Sequence, residues 1–258
     1  MAFKQLSIRV LAATLLFIGL QSFNSMPGGN DLNYQLSVTT HGTDFELIAE
    51  QLYGQLDLCE DEISQVTFEK ALRGYVFLRY TNQLENTRFL TVLDFSRSSK
   101  DRRLWVIDLE GKKVVYNELA AHGKNSGDKF AKWFSNAANS KKSSLGFYVT
   151  GETYNGRHRY SLKLRGLEPG FNSNAFARGI VMHGAHYVSD EIAYAQDGVG
   201  RSFGCPAVSN EVNRDIVDLV EGGSCLFMYH PQAYYNGKSK ILNTNQFIPI
   251  ELLKALVE

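Results

Sequence analysis

From residue 89 onward the chain carries a series of short apolar segments, each four to seven residues long and separated from the next by turn residues. β-Branched and aromatic residues fill them, as in FLTVLDF at residues 89–95. Such composition and length favour strands. Strands are predicted at residues 89–95, 104–109, 113–116, 145–150, 160–164, 179–183 and 225–229. Their spacing favours a mainly β fold of the sandwich or barrel type over repeated βαβ units.

Apolar residues recur every three to four positions in the stretches that precede and interrupt these strands, which predicts helices. Helices are predicted at residues 45–56, 67–84, 128–136 and 210–220. The last of them has Ser209 or Asn210 at its start and Gly222 after its end, as helix boundaries favour. We therefore expect a small helical segment at residues 31–85, followed by a β-rich domain with flanking helices at residues 86–258.

The N-terminus has the pattern of an export signal. Lys4 and Arg9 supply positive charge before an unbroken run of eleven apolar or small residues at positions 10–20. A membrane-spanning helix needs about 20 such residues, so the run is too short to cross a bilayer comfortably. Residues 1–25 are predicted to be a signal peptide, with a retained N-terminal anchor as the alternative. Either places the protein outside the cytoplasm, in the periplasm or cell envelope.

Charge and cysteine content narrow the functional classes. The 27 basic side chains equal the 27 acidic ones, so no basic excess points to nucleic acid. An exported protein can form a disulfide, here between Cys59 and Cys225, which leaves Cys205 as the odd thiol. Two free cysteines are the alternative.

Two glycine-containing segments carry candidate chemistry. In GIVMHG at residues 179–184 an apolar strand leads directly into His183, which holds the ring rigidly at the end of the strand. In GRSFGCPAV at residues 200–208 a thiol follows Gly204 shortly before a predicted helix. A thiol near a helix start and Arg201 is expected to have a lowered pKa. Residue types alone leave two possibilities, a Cys–His dyad or a buried thiol with a core histidine.

The combination of these segments resembles the catalytic motif of L,D-transpeptidases with a YkuD-like domain. That motif is His-Gly, then Ser-x-Gly-Cys, here His183-Gly184 and Ser202-Phe203-Gly204-Cys205. The chain is similar to the divergent murein branch of this family over about residues 88–232. Matching segments are DFS at 94–96, LWVIDL at 104–109, AHGKNSG at 121–127, SSLGFY at 143–148, GFN at 170–172 and GCPAV at 204–208.

Two departures from the family pattern bear on substrate specificity rather than on the nucleophile. Many L,D-transpeptidases have a histidine where this chain has Phe203 and an arginine where it has Ala207. Arg201 and Arg178 are the candidates to replace the charge of that arginine.

The resemblance implies a cysteine-dependent acyl transfer on peptidoglycan stem peptides, with Cys205 as nucleophile and His183 as base. The backbone N–H groups of Gly204 and Cys205 would form the oxyanion hole. No metal or other cofactor is implied. The alternatives are an L,D-carboxypeptidase or hydrolase using the same dyad, and a non-catalytic wall-binding module.

Other side chains are candidates for the substrate cleft, each with a plain structural role as its alternative. They are Ser202, Arg201, Arg178, Tyr148 and Tyr187. His122 lies in a Gly/Asn/Ser-rich loop and is better explained as part of a turn. His183 and His186 have H-x-x-H spacing, but a strand-to-turn context does not favour a metal site there.

Overall fold

The structure is a computed structural model that describes residues 42–59, 63–244 and 250–258. The predicted signal at residues 1–25 lies outside the described residues. Within the described part of the chain, none of the helices has the length and apolar character needed to cross a membrane.

Six helices are described: α1 Gly42–Gln55, α2 Gln65–Tyr80, α3 Asp190–Gln196, α4 Asn210–Val220, α5 Ala233–Lys238 and α6 Ile250–Lys254. The hydroxyl of Ser64 accepts a hydrogen bond from the Thr67 N–H at 3.2 Å, which caps the start of α2. Helices α1, α2 and α4 confirm three predicted helices, whereas α3, α5 and α6 are too short to show a helical period in the sequence.

The described strands are β1 Phe89–Asp94, β2 Leu104–Asp108, β3 Lys113–Glu118, β4 Gly146–Gly156, β5 Arg159–Gly166, β6 Val181–Gly184, β7 Ala207–Val208 and β8 Cys225–Tyr229. They form an eight-stranded sheet in the order β3-β2-β1-β8-β4-β5-β6-β7. The β1–β8 and β6–β7 pairs are parallel, and the others are antiparallel.

The two edges of this sheet approach each other. After β3 the chain forms an isolated bridge from Ala121 to Ala207 in β7, with the Ala121 N–H 2.8 Å from the Ala207 carbonyl oxygen. A second bridge joins Gly123 to Ser202. The result is a nearly closed, mainly β fold with flanking helices, so the predicted fold class is confirmed.

The predicted helix at residues 128–136 is wrong. The backbone N–H groups of Lys132 and Trp133 both donate to the carbonyl oxygen of Ser126, at 2.7 and 3.0 Å. The Lys129 carbonyl accepts from the Ser99 N–H instead of from its own segment. Bonds to neighbouring loops replace the regular i to i−4 pattern, because this segment packs beside the Ser99 loop.

Helices α1 and α2 share one hydrophobic cluster with β1, β2 and β8. Leu52 and Leu72 are completely buried there. A Cβ at Gly74 would lie only 2.0 Å from Cζ of Phe147, so glycine is what allows α2 to approach β4 this closely. The division into a segment at 31–85 and a domain at 86–258 stays a prediction.

Candidate active site

Strands β6 and β7 bring the two sequence motifs together. His183 pairs with Ala207 and Gly184 with Val208 in a parallel register. Cys205 therefore lies two residues before the position paired with His183. A Cβ on Gly184 would lie 2.7 Å from Oδ1 of Asn210, so glycine allows the start of α4 to approach this strand.

The hydrogen bonding of His183 fixes its tautomer. Its Nδ1 is 2.8 Å from the carbonyl oxygen of Gly184. A carbonyl only accepts, so Nδ1 carries the hydrogen and, in the neutral ring, Nε2 is the acceptor. Burial lowers the pKa of His183, the hydrogen bond to Gly184 opposes this, and the charge of His158 adds to the lowering. The ring is thus held in the neutral form that can take a proton.

His158 covers one face of His183, and the sequence analysis missed it. The two rings stack with centroids 4.2 Å apart and planes 21° apart. His158 lies in the turn between β4 and β5, and Ser161 of β5 pairs with His183. Both histidines line a cavity of 330 Å³ together with Arg157, Arg159, Gly184, Ala185, His186, Tyr187 and Asn210. No local motif marks His158, because the contact depends on strand pairing.

The thiol of Cys205 is buried beside the segment that leads into His183. Its Sγ–H donates to the Gly179 carbonyl oxygen at 3.8 Å. Burial raises the pKa of Cys205, while the Val181 N–H and the charge of Arg178 oppose that rise. The expectation of a lowered thiol pKa is therefore wrong, because burial outweighs the neighbouring N–H groups and the charge of Arg178. Across the described residues, no hydrogen bond joins this thiol to His183.

Ser202 organises the backbone around the thiol. Its Oγ donates to the Cys205 carbonyl oxygen at 2.7 Å and accepts the Gly204 N–H at 3.0 Å. Gly204 has a φ of +128°, and a Cβ there would lie 2.8 Å from the Lys142 carbonyl oxygen. The oxyanion role of Gly204 and Cys205 stays a prediction, and it requires the Gly204 N–H to exchange Ser202 for substrate.

The two candidate arginines have different surroundings. Arg178 is half-buried and donates to the carbonyl oxygens of Ser135 and Lys142, each at 2.7 Å. Arg201 is exposed and forms an ion pair with Asp128. The charge of Arg178 thus acts on the Cys205 thiol, whereas the charge of Arg201 is paired with a carboxylate.

The two candidate tyrosines also differ. Tyr148 has no exposed surface, and its hydroxyl donates to the Ser144 carbonyl oxygen at 3.0 Å, so its position does not support direct contact with substrate. Tyr187 is half-buried and lines the His183 cavity. Burial and the nearby charge of Cys205 raise the pKa of Tyr187 to about 12. Of the two tyrosines, Tyr187 is therefore the one that lines the cavity beside His183.

His122 is a structural residue behind the loop at residues 201–205, which we call the catalytic loop because it carries the candidate nucleophile Cys205. Arg103 donates to its Nδ1 at 2.8 Å, so Nε2 carries the hydrogen and donates to the Gly127 carbonyl oxygen at 3.1 Å. The ring is fully buried, and burial lowers the pKa of His122 to about 4. Its carbonyl oxygen accepts the Ser202 N–H at 2.9 Å.

All three cysteines are free thiols in the structure. Cys225 is buried in β8, whereas Cys59 is exposed. The structure thus contains free thiols rather than the Cys59–Cys225 disulfide.

Comparison with solved structures found L,D-transpeptidases at low identity. The chain is 13% identical to one from Mycobacterium smegmatis, with a TM-score of 0.36 over 55% of this chain and 59% of that one. It is 15% identical to one from Xylanimonas cellulosilytica, with a TM-score of 0.32 over 74% and 95% of the two chains. The chain thus spans about three fifths of the first of these relatives. No curated protein matches it significantly.

A family model gives a broader match. The model, described as an L,D-transpeptidase catalytic domain, matches residues 59–229, which include both motifs and all eight strands in full. β8, the last of the eight, ends at the final matched residue. This chain belongs to the L,D-transpeptidase catalytic domain family.

Proposed function

We propose that the chain is a cysteine acyltransferase that cross-links peptidoglycan stem peptides, with Cys205 as the nucleophile and His183 as the base. The β6–β7 pairing carries this proposal, because it brings the buried thiol beside the strand that ends in a tautomerically fixed imidazole. Nucleophile and base contacts of this kind are often loose before substrate binds.

In the first half-reaction the Sγ–H proton passes to Nε2 of His183. The thiolate attacks the carbonyl carbon between an L-centre and a D-residue of the stem. The backbone N–H of Cys205, joined by that of Gly204 once it leaves Ser202, stabilises the oxyanion. The C–N bond then breaks, and His183 returns the proton to the departing amine. The product is a thioester on Cys205.

In the second half-reaction an amine of another stem attacks the thioester. His183 accepts a proton from this amine, a new amide bond forms and the C–S bond breaks. The proton returns to the thiolate. Water in place of the amine would give hydrolysis, and the exclusion of water from the cleft decides between them.

Product analysis tests this function. Purified protein is incubated with disaccharide tetrapeptides, and the products are followed by mass spectrometry. Cross-linked dimers are expected, together with the released D-amino acid. Tripeptides without cross-linked dimers would show that the protein is a carboxypeptidase rather than a transferase.

Cys205→Ala and Cys225→Ala form a matched pair of controls. We expect the first to abolish product and the second to retain it, since Cys225 is buried in β8 away from the motifs. No product from the unaltered chain would overturn the enzyme assignment and leave a non-catalytic wall-binding module. Equal activity in Cys205→Ala would overturn the assignment of Cys205 as the nucleophile.

The same proposal places the protein in the cell envelope, where its substrate lies. The charged start and apolar run at residues 1–20 are the sequence features that support export. Fractionation of cells with an antibody to the chain tests this, and a purely cytoplasmic signal would contradict it.

A further inference from the structure

An exposed aromatic ring in the loop that carries Cys205 is flanked by two ammonium groups. Phe203 is 62% exposed, two residues before Cys205. Nζ of Lys124 is 5.0 Å from its ring centroid, and Nζ of Lys141 is 5.4 Å away. Both distances fall within the range of cation–π attraction. We call Phe203, Lys124 and Lys141 the lysine–phenylalanine platform.

Backbone hydrogen bonds fix the three segments that carry the platform. The Lys124 N–H donates to the Ser202 carbonyl oxygen at 2.8 Å, and the Asn125 N–H donates to that of Lys141 at 3.1 Å. The Ser143 hydroxyl donates to the Gly204 carbonyl oxygen at 3.1 Å. The platform is therefore rigid in its backbone relative to Cys205, while the two lysine side chains stay exposed.

The charges of the two lysines are not neutralised by the surrounding described residues. Lys129 and Arg201, the neighbouring cations, form ion pairs with Asp197 and Asp128. In the part of the chain that the structure describes, Lys124 and Lys141 form no ion pair with a carboxylate. Two ammonium groups on one ring, with no carboxylate partner among these residues, attract an anion.

Lys124 also connects the platform to open space. It lines a cavity of 450 Å³ next to the catalytic loop, together with Ser99, Asp128, Lys129, Gln196, Asp197, Gly198, Val199, Gly200 and Arg201. A peptide in this cavity would contact Lys124, and one that continues over the exposed Phe203 ring would reach Lys141 as well.

We propose that the lysine–phenylalanine platform is a subsite for the carboxylates of an acidic peptide whose scissile carbonyl lies at Cys205. The inference rests on the proposed function, because it takes the acidic stem peptide as that ligand. The two ammonium groups pair with carboxylate oxygens, and the ring packs against the aliphatic atoms between them. Phe203, which replaces a histidine common in relatives, then contributes to substrate selection rather than to proton transfer.

Equilibrium binding tests the subsite without requiring turnover. The ligand is a disaccharide tetrapeptide, and the protein is the full chain carrying Cys205→Ala, measured by calorimetry at low salt. Adding Lys124→Ala and Lys141→Ala is expected to raise Kd roughly tenfold, as two partly exposed ion pairs would. Adding Lys240→Ala, an exposed lysine beyond α5, is expected to leave Kd unchanged.

The same ligand with its carboxylates converted to carboxamides separates charge from shape. We expect it to bind weakly and equally to the parent and the double-lysine protein. Equal Kd values for the acidic ligand with and without the lysines would overturn the subsite, as would no binding at all. The two proposals can fail separately. If the unaltered chain makes no product but still binds the ligand through the two lysines, the proposed function is overturned and the subsite stands.

Discussion

At the scale of single residues, the surroundings of His183 determine the tautomer and the charge of its imidazole. The Gly184 carbonyl fixes Nδ1 as the protonated nitrogen, and burial keeps the ring neutral. The thiol is kept protonated by its own burial. Both groups thus rest uncharged, and the proposed reaction would begin with proton transfer from the thiol to the imidazole.

We predict that His158→Ala moves the acid limb of the kcat/KM profile to higher pH. His183 acts as a base only when neutral, so activity falls as the pH drops through its pKa. Burial is the main cause of the lowered pKa, and the His158 charge is a further one. Removing His158 weakens both, which raises the pKa. The measurement is kcat/KM from pH 4 to 8.

His158→Phe is the matched control, since it keeps a stacked ring and removes the charge. It is expected to shift the limb in the same direction by less than His158→Ala. An unchanged limb in both variants would show that the stack does not act on His183.

Motifs identified Cys205 and His183, because the family pattern is local in sequence. They did not identify His158, which reaches His183 across the β5–β6 pair, nor separate Arg178 from Arg201. The ion pair of Arg201 with Asp128 and the contacts of Arg178 depend on loops that meet only in the folded chain.

At the scale of elements, the catalytic loop at residues 201–205 is supported from behind by the loop at 121–127. Ser202 donates to the His122 carbonyl and accepts from the Lys124 N–H. The first loop therefore cannot shift without breaking bonds to the second.

We predict that Gly204→Ala lowers both activity and stability. Its φ of +128° is unfavourable for alanine, and the new methyl would lie 2.8 Å from the Lys142 carbonyl oxygen. A displaced Cys205 should cost activity roughly a hundredfold. Gly170→Ala is the control, because its φ is also positive, at +84°, but no atom lies within 4 Å of the added Cβ. Equal losses of activity in the two variants would show that the close contact between residue 204 and the Lys142 carbonyl oxygen is not the cause.

The lowered pKa of the buried His122 should make the stability of the chain depend on pH. Its pKa is about 4 in the folded chain against 6.5 for an ordinary histidine. As the pH falls from 6.5 towards 4, the unfolded chain binds a proton that the folded chain does not, so stability decreases by roughly 3 kcal/mol. Below pH 4 this residue adds no further loss. Denaturant unfolding of the unaltered chain and of His122→Gln should show this difference between pH 7 and 4, and identical pH slopes would contradict it.

At the scale of the whole molecule, helices and sheet form one core within the described residues. Leu72 of α2 and Trp105 of β2 are both fully buried in the same cluster. The sequence predicted the helices and the sheet, but a shared core is a property of packing that periodicity does not contain.

We predict that the helical segment and the sheet unfold together. Leu72→Ala should destabilise the chain by about 2–5 kcal/mol through loss of buried contacts. Far-UV circular dichroism of the helices and near-UV circular dichroism of the core aromatics should keep a common midpoint in both proteins. Earlier loss of the helical signal would instead support residues 31–85 as a separate unit.

The central claim is that Cys205 carries the acyl group during turnover. Intact-protein mass spectrometry, after rapid acid quench with a disaccharide tetrapeptide, tests it most directly. We predict a gain in mass equal to the disaccharide tetrapeptide minus its terminal D-amino acid, mapped by digestion to Cys205 and absent from Cys205→Ala. An adduct on Cys59 or Cys225, or turnover that persists in Cys205→Ala, would contradict it.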